Sequence, residues 1–423
     1  MIACVLFFPK LRLGKFSVDT YWIVTLLGAA VLLCCGKADI VEVGKALVAN
    51  TAINPVKILV LFLSMTVLSV FLDELGFFHF LASAVLKKAH TGQTKLFLYL
   101  YLMVSVLTVF TSNDVIILSF TPFICFFAKN AKISPIPYLA AEFVAANTWS
   151  MALVIGNPTN VYLATNYGLT FVQYLKISLL PTLAAGLVAF GTLFLSFRKK
   201  LSRPILGQPD DFQIKDKLLL WIGIAHLAAC TLFLAIGSYI NLEMWLVSAG
   251  AVASLFVCVC VVALVRRQKP KELCRCLKRA PYQLVPFILS MFVIIIALDE
   301  QGVTAKLGEI LSNGAPVLTY GTVSFLASNV INNIPMSVLF SSVIQSANVG
   351  LPAVFATIIG SNIGAFLTPI GALAGIMWSS ILGEHGQKFG YASFLKMGVT
   401  VAVPTLFAAL GALWLVLTFL PVV

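Results

Sequence analysis

The chain has 423 residues, 60% of them hydrophobic and 10% charged, with a formal net charge of +12 and a mean hydropathy of +1.01. Soluble domains carry about one quarter charged residues, so this composition excludes an ordinary soluble enzyme and points to a multi-pass membrane protein. A transmembrane barrel is excluded as well, because no segments of ~10 residues alternate polar and apolar side chains.

In chain order, residues 1–19 form an N-terminal stub whose first ten residues, MIACVLFFPK, are apolar but too short to span. They lack the basic start and small-residue cleavage site of a signal peptide. Residues 20–197 form a first transmembrane repeat, closing on the uncharged run 177–197. A basic loop at 198–217 follows, then two linking spans within 218–265, then a second basic loop at 266–280. Residues 281–423 form a second transmembrane repeat that contains an uncharged run of 74 residues, 310–383, and another at 397–423. At ~20 residues per crossing these runs predict about 10–11 membrane segments.

Thirteen of the 28 Lys and Arg lie in the two basic loops. Their placement between apolar runs marks cytoplasmic loops under the positive-inside rule, with holding anionic lipid or a soluble partner the less favoured second role, and argues against a nucleic-acid partner. The turn between the linking spans, near Ser238–Glu243, is then expected to face outward. The nine cysteines and four histidines show no ligand spacing, so no transition-metal site and no resident cofactor are expected.

The two halves resemble one another. Leu72-Asp73-Glu74-Leu75-Gly76 recurs as Leu298-Asp299-Glu300-Gln301-Gly302, and Asn113-Asp114 matches Asn332-Asn333. Asn147 matches Asn362, and Ile155-Gly156 matches Ile370-Gly371, with slowly drifting offsets. The first Leu-Asp-Glu-x-Gly element precedes Lys87, Lys88 and Lys95 and should end inside, whereas the second follows a basic loop and should end outside. The predicted fold class is therefore all-α and polytopic, with two inverted-topology repeats, broken helices and re-entrant hairpins, an architecture of secondary transporters.

Four clusters put polar and helix-breaking residues inside apolar sequence: FTSNDVIILSFTPF, AEFVAANTWSMALVIGNPTNVYLA, ASNVINNIPMS and GSNIGAFLTPIGALAG. Pro and Gly free backbone carbonyls and amides there, which inside a bilayer must be buried in protein or line a wet cavity. Amide, hydroxyl and carbonyl oxygens can replace the water around a cation, and exposed helix N-termini favour an oxyacid. The expected substrate and ion ligands are Ser112, Asn113, Asp114, Asn147, Thr148, Gly156, Asn157, Thr159, Asn160, Asn329, Asn332, Asn333, Ser361, Asn362 and Thr368, with Na+ favoured at Asn113, Asp114, Asn147, Asn332 and Asn362. Packing glue between helices is the competing reading for any one Asn. Asp114 and Glu142 are the acids within these clusters, and their counterparts Asn333 and Thr357 are neutral. An intramembrane carboxylate can carry a proton or hold a monovalent cation, so both are expected coupling residues, Asp114 first because it adjoins a break. Asp73, Glu74, Asp299 and Glu300 sit at helix ends and read as structural.

The stretches LDELGFFHF, FTSNDVIILSFTPF and NTWSMALVIGNPTNVYLA, followed by NNIPMSVLF and GSNIGAFLTPIGALAGIMW, resemble the ion transporter superfamily over about residues 20–420. Within it the chain looks most similar to the arsenite and antimonite permease branch, which is related to the sodium/proton antiporters and to the sodium-coupled di- and tricarboxylate carriers. It departs from that branch at Asn147 and Asn362, where the permeases carry Asp. The resemblance implies a secondary active transporter in the cytoplasmic membrane, of arsenite/antimonite efflux type and driven by an H+ or Na+ gradient. A sodium-coupled citrate-type carrier or a Na+/H+ antiporter is the alternative, and a passive channel is the reading from a different class. A homodimer and a soluble ATPase partner are further implications of the resemblance. An enzyme is not expected, because the interior supplies no paired nucleophile and base.

Overall fold

The computed structural model describes residues 10–13, 16–49, 54–89, 92–202, 213–237, 240, 242–387 and 389–419. Most of the N-terminal stub, the centre of the first basic loop and part of the Ser238–Glu243 turn lie outside the described residues. A short antiparallel hairpin, β1 (Lys10–Leu13) and β2 (Phe16–Asp19), leads into the helices. First come α1 (Thr20–Cys34) and α2 (Ile40–Val48). The first repeat then runs α3 (Pro55–Glu74), α4 (Phe77–Ala89), α5 (Gln93–Phe110), α6 (Asn113–Asn130), α7 (Ile136–Trp149), α8 (Pro158–Asn166) and α9 (Phe171–Leu201). The linking helices are α10 (Lys217–Gly237) and α11 (Met244–Val265), followed by the basic α12 (Lys271–Arg279). The second repeat repeats the order as α13 (Leu284–Glu300), α14 (Val303–Ser312), α15 (Pro316–Ile331), α16 (Asn333–Ala347), α17 (Gly350–Gly364), α18 (Leu373–Glu384) and α19 (Tyr391–Phe419).

Seven stretches of the described residues are helical, long and apolar enough to cross a membrane, and α1, α15 and α17 are shorter apolar helices. One of the seven, Lys271–Glu300, comprises α12 and α13, which are separated by the turn at Ala280–Gln283. Leu187, Trp221, Leu264 and Phe407 stand exposed on these helices. A soluble fold would bury such a belt; in hydrocarbon it costs nothing.

Local sequence explains the shared start of each repeat. Asn54 caps α3 by accepting from the Val56 and Lys57 amides, and Pro55 occupies the first turn, where its missing N–H is harmless. The helix stops at the Leu-Asp-Glu-x-Gly element, because Gly76 takes φ +81°, a left-handed conformation that ends a helix cheaply only at glycine. Gly302 does the same at φ +70° after α13.

The senses of the two helices follow from their end contacts. Arg279, closing α12 just before α13, pairs with Asp73 at 2.8 Å and Glu74 at 2.7 Å at the end of α3. At the other end, Glu300 accepts from the Asp39 amide at 3.3 Å, at the start of α2. The last turn of α2 is in turn bound by Asn54, through the Leu47 carbonyl at 2.8 Å and the Ala49 carbonyl at 2.9 Å. The end of α3 thus lies by the start of α13, and the start of α3 lies on the side where α13 ends. The two run antiparallel, as the inverted repeat requires.

Within each repeat a hairpin, α5–α6 or α15–α16, packs on a broken helix, α7–α8 or α17–α18. Between repeats the packing is crossed: α6 lies on α18 and α16 lies on α8. The long α9 and α19 pack against each other, and at ~1.5 Å per residue their 31 and 29 residues exceed the ~30 Å hydrocarbon core. The linking helices α10 and α11 pack on α3, away from this crossing.

Candidate functional site

Each hairpin reverses at a predicted cluster. In the first, α5 ends at Phe110 and Ser112 caps α6, its hydroxyl accepting from the Val115 amide at 3.4 Å. Asn113 then accepts from the Asp114 amide and donates to Asn147 Oδ1 at 3.1 Å, joining the hairpin tip to α7. In the second hairpin Asn332 holds φ +72° between α15 and α16 and caps the Ile334 amide. Its ψ of +152° places it outside the left-handed helical region that Asn tolerates, in one nearly reserved for glycine, so the surrounding hydrogen bonds must hold it there. Asn332 donates to the Ile370 carbonyl at 3.2 Å, and the Asn333 amide donates to the Gly371 carbonyl at 3.0 Å.

Both broken helices open where Gly, Pro and Asn fall. α7 ends at Trp149, a short 3-10 turn spans Val154–Gly156, and Asn157 caps α8 from the Thr159 amide with Pro158 in the first turn. A Cβ on Gly156 would sit 2.2 Å from the Ser150 carbonyl oxygen, so only glycine lets the chain pass itself there. In the other repeat α17 ends at Gly364 and α18 begins at Leu373.

Asparagines take up several of the carbonyls that these breaks release. Asn160 donates to the Ser150 carbonyl at 2.7 Å and the Leu153 carbonyl at 3.2 Å. Asn329 donates to the Gly364 carbonyl at 3.0 Å, and Thr368 donates to Asn329 Oδ1 at 2.6 Å. Asn362 joins the halves. It donates to Asn160 Oδ1 at 2.7 Å and to the Ile358 carbonyl at 2.8 Å, and accepts from Asn157 at 3.0 Å and Ser150 at 2.9 Å. Ser361 donates to Thr159 across the same seam at 3.0 Å.

The predicted residues therefore fall into three adjoining groups. Ser112, Asn113, Asp114 and Asn147 gather at the first tip; Asn157, Thr159, Asn160, Ser361 and Asn362 form the seam; Asn329, Asn332, Asn333 and Thr368 gather at the second tip. Ser150, absent from the predicted set, links the first two by also donating to the Asn147 carbonyl at 2.8 Å. Its only signal was position, three residues after Asn147. In this arrangement both N–H groups of the Asn362 amide are used, and its oxygen takes Asn157 and shares the single Ser150 proton with the Asn147 carbonyl, so Asn362 ties the repeats. The first tip fits a cation better. The Asp114 carboxylate, partly buried in the first turn of α6, takes no hydrogen bond or ion pair from a described side chain. Thr148 Oγ1 and Asn333 Oδ1 are buried without a partner. No Lys or Arg occurs in any of the four clusters.

Glu142 lies apart from these three groups. It is fully buried, accepting from Thr121 on α6 at 2.8 Å and from Trp378 on α18 at 3.3 Å. Neither partner was distinguishable in the sequence from an ordinary core residue.

Two inverted units, each with a helical hairpin and a broken helix whose polar tips meet at the centre, define a multi-pass membrane transporter. The citrate transporter family model (CitMHS) matches residues 20–360, and the chain belongs to that family, within the ion transporter superfamily. It is 28% identical over 378 residues to the "Arsenical pump membrane protein" of Escherichia coli, covering 85% of this chain and 86% of that one. The protein of the same name from Yersinia enterocolitica is 26% identical over 372 residues, covering 83% and 84%. Among solved structures, the Alcanivorax borkumensis YdaH transporter, described as having an unusual topology, superposes with a TM-score of 0.58 at 13% identity. That match covers 98% of this chain and 94% of the other, and supports the fold. The family is one of membrane transporters, so the substrate is a small ion or small molecule.

Proposed function

We propose that this protein is an ion-coupled secondary transporter of the cytoplasmic membrane that expels arsenite or antimonite, with Asp114 as the coupling carboxylate. The observation that carries the reading is the composition of the central site: amides, hydroxyls and the Asp114 carboxylate, which takes no hydrogen bond or ion pair from a described side chain, with no Lys or Arg in the four clusters. Arsenous acid is uncharged at neutral pH and needs hydroxyl partners, which Ser112, Thr148 and Thr368 supply beside Asn113, Asn147, Asn329 and Asn333. The names of the relatives point the same way. Asp114, with Asn113 and Asn147, binds the coupling H+ or Na+, and the two hairpins move against the α9–α19 scaffold. Assembly as a homodimer and partnership with a soluble ATPase belong to the same proposal.

The family description favours a second reading, a sodium-coupled citrate carrier. A tricarboxylate then needs sodium ions or helix N-termini in place of Arg or Lys. Inside-out vesicles separate the two. Arsenite accumulation that follows an imposed proton or sodium gradient supports efflux, whereas sodium-stimulated citrate uptake in right-side-out vesicles, without arsenite flux, replaces it. Asp114→Asn is expected to abolish accumulation against a gradient. A D114N protein that still concentrates arsenite refutes the coupling role.

A further inference from the structure

Glu142 is a carboxylate that stands outside the three polar groups of the central site. It sits on α7 about five residues, or ~7.5 Å, from Asn147 and the central belt. Its two oxygens take the Thr121 hydroxyl and the Trp378 indole N–H, both neutral donors. Among the described residues, no salt bridge to Glu142 comes from the elements packed around α7. Cys125, four residues after Thr121 on α6, is a titratable group on the helix that supplies this donor. Tyr101 on α5 and Tyr174 on α9 direct their hydroxyls to the Gly186 and Met151 carbonyls. Tyr138 on α7 itself points to Gln93. α17 presents Thr357, and the acid of α18, Glu384, stands exposed at its far end.

Pseudo-symmetry shows that the fold does not require this charge. The crossed junction in the other half, α16 and α17 with α8, is built with Phe340 in the place of Thr121 and Thr357 in the place of Glu142. The same packing thus forms without a carboxylate. An uncompensated buried carboxylate that the architecture can do without is costly, and in membranes such groups mark proton or ion pathways.

We propose that Glu142 is a second proton-binding site, whose proton exchanges only when α18 of the second repeat parts from α6 and α7 of the first. The proposal rests on the ion-coupled transporter reading. As a carboxylate, Glu142 accepts from both Thr121 and Trp378 and holds the halves together at this junction. Uptake of one proton from water forms an O–H bond on one carboxyl oxygen, and the Thr121 hydroxyl turns from donor to acceptor. The side chain is fully buried, so water reaches it only through separation of these helices. Proton exchange is thereby tied to the movement of one repeat against the other.

Infrared spectroscopy of the purified wild-type protein across a pH titration tests this without a substrate. A protonated-carboxyl band that resists hydrogen–deuterium exchange is expected. It should be lost in Glu142→Gln and kept in Asp114→Asn. Trp378→Phe removes one donor and leaves the acid, so it should displace the band even if E142Q folds poorly. Absence of a titrating band in the wild type, its persistence in E142Q, or a band unmoved in W378F overturns the proposal. Arsenite flux in proteoliposomes then separates the two carboxylates. With E142Q, arsenite counterflow is expected to continue while its pH dependence is lost; pH dependence unchanged from the wild type counts against Glu142. Failure of the Asp114 reading shows separately, as accumulation surviving in D114N.

Discussion

At the scale of single residues, the same residue type stands in two different settings in this membrane interior. Asn160, Asn329 and Asn362 spend their amides on carbonyls and amides that the helix breaks expose, whereas Asn333 keeps its side-chain oxygen buried and unpaired. An isolated hydrogen bond contributes only ~1 kcal/mol, but leaving its partners unsatisfied costs ~1–3 kcal/mol each. Asn362→Ala strands donors and acceptors on Ser150, Asn157 and Asn160 at once. It is expected to destabilise the detergent-purified protein by about 2–4 kcal/mol, read as an earlier thermal midpoint. Asn333→Ala, by contrast, should leave the midpoint within ~1 kcal/mol of wild type and impair substrate binding instead. Equal destabilisation by both variants would contradict the division of roles.

Among the elements, the ion pairs tie helices at the ends of the spans. Arg279 and Arg275 bracket Asp73 and Glu74, seating α12 across the end of α3 with Leu273 and Cys276 buried beneath it. Arg279→Ala should lift α12 and expose Cys276. In a protein carrying Cys274→Ser, maleimide labelling of Cys276 should then accelerate several-fold over the parent, and an unchanged rate would show that apolar packing alone seats the helix. On the other face, Lys57 bonds Glu243 at 2.6 Å, tying the start of α3 to the start of α11. The hydrogen bond from Lys57, then that from Trp245, holds the Glu243 carboxyl below its usual range. A depressed carboxylate contributes stability that is complete above its unfolded value near ~4.3 and is lost as pH falls through the folded value. The thermal midpoint of Glu243→Gln should therefore lie below wild type at neutral pH and converge with it in acid. The difference will be small, because both ends of the pair contact solvent.

For the molecule as a whole, inversion of the repeats makes a prediction about sidedness. Cys274, exposed on α12, and Ser312, exposed at the end of α14, belong to elements at opposite ends of the antiparallel α3 and α13. In a protein with Cys274 as its one cysteine, an impermeant maleimide should label inside-out vesicles. With S312C as the one cysteine it should label right-side-out vesicles. Labelling of both from the same side would contradict the topology.

Much of this was written in the chain itself. Composition determined that the protein lives in lipid, because so apolar a surface has no other solvent. The Lys and Arg clusters set the expectation of which loops stay in the cytoplasm. Gly76 and Gly302, like the Asn and Pro clusters, marked each turn and break, because left-handed backbone and missing amides are local properties of a residue. What the sequence could not show is who meets whom across the repeats. That α6 lies on α18 and α16 on α8, that Asn362 bonds Asn157 and Asn160 of the opposite half, and that Trp378 reaches Glu142 across more than two hundred residues all depend on long-range packing. Local pattern carries no information about such partners, because an Asn whose amide is paired and one whose oxygen is left unpaired have the same neighbours in the chain. Only the tertiary structure, by fixing which buried polar atoms are paired, distinguishes them.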